Sequence, residues 1–269
     1  MPKLEREGFA LKFELTDIAA PWVAAPEVVV LHHGIGASQG IWAEWLPWLV
    51  ARYRVLRFDM RGHGASTWPA SGPRPSLDTL ADDLLAVMDA AGVTRAHLVG
   101  ESIGGTVVLN AALSAPERAV SVTVSNGAHV GARLQSLHDW HEAIETRGMP
   151  GWSADMMARR FFDGAVPEVH WRWFEAEQRA AHPQAVLQLV GALVGADLTD
   201  RLPGLTQPVL LLHPDSSPFI PVPVVADLKA RLPDARLHVI GRAKHGMPLS
   251  HPRVCAGLLR AFLDEIGRP

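Results

Sequence analysis

Cysteine is almost absent. Cys255 stands alone among 269 residues, so no intramolecular disulfide can form. It lies in the last amphipathic stretch, where a buried helix position is expected rather than a nucleophile. No apolar run reaches the roughly 20 residues that span a bilayer. The opening residues, Met1 to Glu7, are charged and hold no apolar signal core. A soluble, cytoplasmic protein is therefore expected. Charge of one sign is lacking too. The formal net charge of −3 offers no broad basic field, so neither nucleic acid nor a membrane is an expected partner. Internal repeats and low-complexity tracts are missing; the Pro/Ser-rich stretch from Trp68 to Ser76 reads as a surface loop. His138 and His141 stand one helical turn apart, but no further ligand lies at metal spacing. No metal and no other cofactor is expected.

What is present can fill a large core: 48% of the residues are hydrophobic. Residues 8–17 suggest a first strand or hairpin. Val28–His32, Tyr53–Phe58, Ala119–Val124, Val209–His213 and Arg236–Ile240 are short β-branched or aliphatic runs of the kind buried in a parallel sheet. Helical patterns lie between them, over Trp42–Val50, Ser76–Ala91, Pro223–Leu232 and Val254–Ile266, and Gly92 ends the second as a C′ residue. Strand and helix in alternation with short links predict an α/β fold with a mostly parallel sheet flanked by helices. The alternation stops between 130 and 197. Helices are expected there over Arg133–Arg147, Ser153–Phe162, Glu168–Ala181 and Gln184–Val194. The expected organisation is a core of 1–129 and 198–269 with an inserted helical cap, 130–197. Of the cap's aromatics, most are expected to pack the cap and two or three to face a pocket.

One stretch organises the rest. Gly100-Glu101-Ser102-Ile103-Gly104 joins a strand to a helix, with serine at the apex. Such a turn is a nucleophile elbow, lifting the hydroxyl above the sheet edge. Gly100 and Gly104 let strand and helix approach closely. Three other strand ends carry matching groups: His33-Gly34-Ile35-Gly36, Asp215 and the loop Gly241–Gly246 with His245. Serine needs a histidine to take its proton, and the imidazole needs a partner to fix its tautomer. The order Ser102, Asp215, His245 fits that triad, with the backbone N–H groups of Ile35 and Ile103 as the oxyanion hole. Arg61 and His63, in Asp59-Met60-Arg61-Gly62-His63-Gly64-Ala65-Ser66, are expected to brace a turn.

These motifs together resemble the α/β-hydrolase family over nearly the full chain. The entry to the cap, Ser125-Asn126-Gly127-Ala128, with Arg147-Gly148-Met149 and Arg172-Trp173-Phe174 inside it, is most similar to 3-oxoadipate enol-lactonases and related esterases. The resemblance implies hydrolysis of a small ester, lactone or enol-lactone through an acyl-enzyme on Ser102. The alternatives are a ligand-binding or degenerate member with weak turnover and a C–C bond hydrolase. The expected partner is a small-molecule substrate; were it a carboxylate, Arg133, Arg147, Arg159 and Arg160 are the cap cations available to pair with it. The family pattern places its acid at Gly-x-x-Asp-x-x-x-Pro, and here Ser217 occupies that position before Pro221. Three readings remain open. Asp215 serves from two residues earlier, a shift of roughly 6–7 Å along extended chain; Asn126 accepts the imidazole N–H; or no residue does and the site is a dyad.

Overall fold

The computed structural model describes residues 2–137 and 139–267. Its centre is one sheet of eight strands: β1 (Lys3–Arg6), β2 (Phe9–Thr16), β3 (Val28–His32), β4 (Arg54–Phe58), β5 (Ala96–Glu101), β6 (Ala119–Ser125), β7 (Val209–Pro214) and β8 (Ala235–Ile240). They lie in the order β1-β2-β4-β3-β5-β6-β7-β8. β1 and β2 form an antiparallel hairpin, and β2 pairs antiparallel with β4. Every later pairing is parallel. β3 and β5 are buried along their whole length, as a sheet covered on both faces requires.

The helices follow the chain as α1 (Leu46–Leu49), α2 (Leu77–Ala90), α3 (Ile103–Ser114), α4 (Trp140–Arg160), α5 (Glu168–Ala180), α6 (Pro183–Val194), α7 (Val222–Arg231), α8 (Met247–Ser250) and α9 (Pro252–Ile266). α2 begins on a capping box, in which the Ser76 hydroxyl accepts from the Thr79 N–H and the Thr79 hydroxyl accepts from the Ser76 N–H. It stops at Gly92, whose φ of +67° permits the turn. One apolar cluster joins α2 and α3 to a face of the sheet and runs on into the inserted helices. A second lies on the other face beneath α1 and α9, and Cys255 is buried in it. Among the described residues, no helix is long and apolar enough to cross a membrane.

Two expectations need correction. The helix expected over Trp42–Val50 is a 3-10 turn, Gln39–Trp42, followed by the single turn α1. Pro47 lacks an N–H, so it suits a first turn and not an interior. Between 130 and 197, the helix expected from Arg133 begins only at Trp140, after a 3-10 turn, Gly131–Arg133. It then runs directly into the second expected helix across a break at Gly148, φ +66°. Pro150 falls just beyond that break, where a new first turn tolerates it. This all-helical segment enters and leaves the core at one place, marked by an isolated antiparallel bridge between Val130 and Asp197.

Candidate active site

β5 delivers Ser102 to the carboxyl edge of the sheet, beside the end of β3. Ser102 has φ +55° and ψ −122°, a region costly for any side chain except glycine. The glycines make the turn possible: a Cβ on Gly100 would lie 2.1 Å from the Gly104 carbonyl oxygen, and one on Gly104 would lie 2.5 Å from that of His32. The Ile103 N–H opens α3 with no earlier helical carbonyl to receive it, at the helix end that favours negative charge.

The β3–α1 loop carrying Ile35 is clamped from several sides. His33 Nε2 accepts from the Met60 N–H at 2.9 Å, and His63 Nε2 accepts from the Gly36 N–H at 3.0 Å. Burial lowers the His63 pKa to about 4, so it braces as a neutral ring. Arg61 meets Asp83 at 2.6 Å, both buried. The expected bracing roles of Arg61 and His63 match these contacts. Arg160, fully buried in α4, donates from Nη2 to the Ile35 carbonyl at 2.6 Å and from Nε to Gln178 Oε1 at 3.3 Å.

His245, in the loop after β8, brings Nε2 within 3.0 Å of Ser102 Oγ, although 143 residues separate them. The ring is buried and packs edge-on against Phe219, centroids 4.7 Å apart. Burial first, then the charge of Arg160, hold its pKa well below the ordinary histidine value, so the resting ring is neutral.

The Nδ1 side differs from what chain order suggested. Asp215 does not reach His245. Its exposed carboxylate accepts the N–H groups of Arg242 and Ala243 at 2.9 and 3.1 Å, tying the end of β7 to the loop after β8. The loop has not rebuilt to cover the two-residue offset. Instead Nδ1 faces the Asn126 amide nitrogen at 2.6 Å and the Ser217 hydroxyl at 3.4 Å. Asn126 follows β6 with φ +52°, a left-handed conformation that asparagine tolerates better than most residues. Its Nδ2 also donates to the His245 carbonyl at 3.1 Å, and its Oδ1 is buried without a partner. An amide N–H aimed at Nδ1 forces the proton onto Nε2, which then donates to Ser102 rather than accepting from it. Turning the amide end for end lets Oδ1 accept from Nδ1–H, and the imidazole becomes a base.

The sequence reading missed Glu101. Its carboxyl is buried between Gly34 and Ser102: a Cβ on Gly34 would meet Oε2 at 2.1 Å. Oε1 stands 3.8 Å from His245 Nε2, and the Gly34 backbone N–H lies beside the carboxyl as a donor that favours its ionisation. Burial pushes its pKa up to about 7. The signal was in plain view, a charged residue next to the serine inside the Gly100–Gly104 turn.

A cavity opens over Ser102, lined by Ile35, Leu134, Trp140, Arg160, Leu193 and Phe219, among others. Its free volume is about 20 Å³, room for little more than one water molecule. Of the seven large aromatics between Trp140 and Phe174, Trp140 lines it; two or three were expected. Trp152, Phe161 and Phe174 are buried in packing. Arg133 pairs with Asp227, Arg147 with Asp155 and Arg159 with Asp139, which leaves Arg160 as the expected arginine that lines the cavity. His141 meets Glu145 one turn on, and His138 lies outside the described residues.

The alpha/beta hydrolase fold family model matches residues 27–188, and the chain belongs to that family. Among curated proteins it is 31% identical over 255 residues to the putative carbamate hydrolase RutD of Caulobacter vibrioides, covering 90% of this chain and 92% of that one. It is also 31% identical to the putative carbamate hydrolase RutD of Pantoea ananatis, covering 90% of each. Among solved structures, a hydrolase from Pseudomonas aeruginosa superposes with a TM-score of 0.87 at 27% identity, over 97% of both chains. An enol-lactonase from Burkholderia xenovorans superposes with a TM-score of 0.88 at 23% identity, over 98% of this chain and 100% of that one, a likeness of fold.

Proposed function

We propose that this hydrolase cleaves a small ester or lactone, the enol-lactones included, through an acyl-enzyme on Ser102. The observation that carries the reading is the 3.0 Å approach of His245 Nε2 to Ser102 Oγ at a strained strand-to-helix turn. With the Asn126 amide turned so that Oδ1 accepts from Nδ1–H, Nε2 is free to act as the base, and Ser102 Oγ attacks the substrate carbonyl carbon as its proton passes to Nε2. The N–H groups of Ile35 and Ile103 receive the oxyanion. The imidazolium then protonates the departing oxygen as the C–O bond breaks, and water, deprotonated by the same histidine, releases the acid. Residues 130–197 act as a cap, because Leu134, Trp140, Arg160 and Leu193 wall the cavity above Ser102. A cavity of about 20 Å³ cannot hold such a substrate, so the cap shifts for it to bind. Arg160 suits a substrate with a free carboxylate. A carbamate presents the same kind of carbonyl, so carbamates, the putative substrates of the RutD relatives, are a substrate class for the same machinery.

A labelled fluorophosphonate and a p-nitrophenyl ester test this together. Covalent labelling and turnover, both lost in Ser102→Ala, support it; labelling retained in Ser102→Ala overturns it. The amide facing Nδ1 favours a second reading, a member with weak turnover. Prompt labelling with kcat below about 1 s⁻¹, the lower end of the usual enzyme range, would favour that reading.

A further inference from the structure

The proposed mechanism makes His245 cationic in a buried pocket, yet among the described residues no carboxylate meets its Nδ1. A buried imidazolium without a counter-charge is costly. We propose that Glu101, the residue before Ser102, is the carboxylate that stabilises His245 as an imidazolium, approaching from the Nε2 edge. This rests on the assignment of Ser102 and His245 given above.

Geometry carries it. Glu101 ends β5, and its carboxyl is wedged between the Gly34 turn and Ser102, with Oε1 3.8 Å from Nε2. The carboxyl is almost wholly buried, with the Gly34 N–H beside it and no side chain hydrogen-bonded to it among the described residues, a costly place for a charge. A purely structural role would make Glu101 the counter-ion of buried Arg160. Arg160 and Glu101 do act on each other through space, but among the described residues no ion pair joins Arg160 to a carboxylate. Its guanidinium is spent on the Ile35 carbonyl and Gln178 and lies over the Phe174 ring. Glu101 exchanges no proton in this scheme. The proton moves from Ser102 Oγ to Nε2 and on to the leaving oxygen, while the carboxylate opposes the imidazolium charge. The oxyanion is held separately by the two backbone N–H groups.

The group works only when ionised. Burial opposes its ionisation most strongly, and Arg160 from α4 and the Gly34 N–H favour it, giving the value of about 7. His32 and His33, beside the Gly34 turn, are kept neutral by burial, and His245 from the β8–α8 loop is neutral at rest. Activity should therefore rise with pH through about 7.

Full-length wild type, Glu101→Gln, Asn126→Asp and the double variant are compared on p-nitrophenyl acetate, with Ser102→Ala as background and thermal unfolding as the fold control. Glu101→Gln should lower kcat by about 10- to 100-fold with KM within about twofold, and should abolish the limb near pH 7. Asn126→Asp should raise kcat more in the Glu101→Gln background than in wild type, because it supplies the lost charge at Nδ1. A Glu101→Gln protein that keeps both kcat and the limb overturns the proposal, as does equal gain from Asn126→Asp in both backgrounds. Nitrogen-15 NMR of the His245 ring in wild type is the second measurement. The resonance should respond to a titration near pH 7, and a flat response from pH 6 to 8 overturns the proposal even if Glu101→Gln fails to fold. Wild type that neither labels with fluorophosphonate nor turns over would instead sink the Ser102 assignment, and the NMR arm still judges Glu101.

Discussion

Asn126→Asp tests the account of His245 most sharply, because one nitrogen becomes one oxygen 2.6 Å from Nδ1. The carboxylate can only accept, so Nδ1 must carry the proton and Nε2 becomes the base that Ser102 requires. Two unit charges about 4 Å apart attract by about 4 kcal/mol at an effective dielectric of 20. The opposite change in a serine protease triad, aspartate to asparagine, costs about 10⁴ in kcat, which bounds the gain from above. Desolvating the new carboxylate takes back part of it, and Glu101 already supplies some of the counter-charge. The expected outcome is a kcat gain of about 10- to 100-fold. The pH limb belonging to His245 should move upward, since a neighbouring anion favours the charged ring. Stability should move the other way. The N–H donated to the His245 carbonyl at 3.1 Å is lost, and an oxygen then faces an oxygen. That costs about 1–3 kcal/mol, lowering Tm by several degrees. Stopped-flow or steady-state ester hydrolysis from pH 5 to 9, with calorimetry of the same samples, reads all three quantities. A folded variant with kcat unchanged or reduced would refute the tautomer argument.

Four further outcomes are expected. Asp215→Asn should leave kcat within about threefold, because its carboxylate holds backbone N–H groups at the surface; a loss of about 10³ or more would restore it as the acid. Arg160→Met should lower kcat/KM for an ester bearing a free carboxylate about tenfold relative to a neutral ester of the same length, read from paired assays. Asp83→Ala leaves Arg61 buried without its partner and should cost about 3–5 kcal/mol in urea unfolding. Glu101 binds its proton more tightly folded than unfolded, so its contribution to stability is present below pH 4.5 and falls as pH rises to about 7. The stability of Glu101→Gln minus that of wild type should accordingly grow by about 3 kcal/mol across that window in denaturant titrations at a series of pH values.

Where local chemistry decides the structure, the residues could be read without coordinates. The elbow was legible because Gly100 and Gly104 are needed by contacts as short as 2.1 Å, which no other residue permits. The parallel sheet was legible because strands buried on both faces carry apolar runs, Val28–Leu31 in β3 among them. The inserted helices were legible as a class, since strand signals vanish there. Their bounds were not, because Gly148 takes φ +66° without ending the run. The acid resisted for a different reason. Chain order says which strand end a residue belongs to, but not which way a loop turns it. Asp215 leaves β7 just two residues before Ser217, yet faces backbone N–H groups at the surface, while Ser217 faces the imidazole. Asn126, from a different strand, comes closer to Nδ1 than either. Glu101 was hidden by the opposite error. It sits inside the motif itself, where attention falls on the serine and the glycines. The choice of glycine at position 34 is what reveals it: the carboxyl fills the space a side chain there would need, 3.8 Å from the ring nitrogen that the proposed mechanism charges.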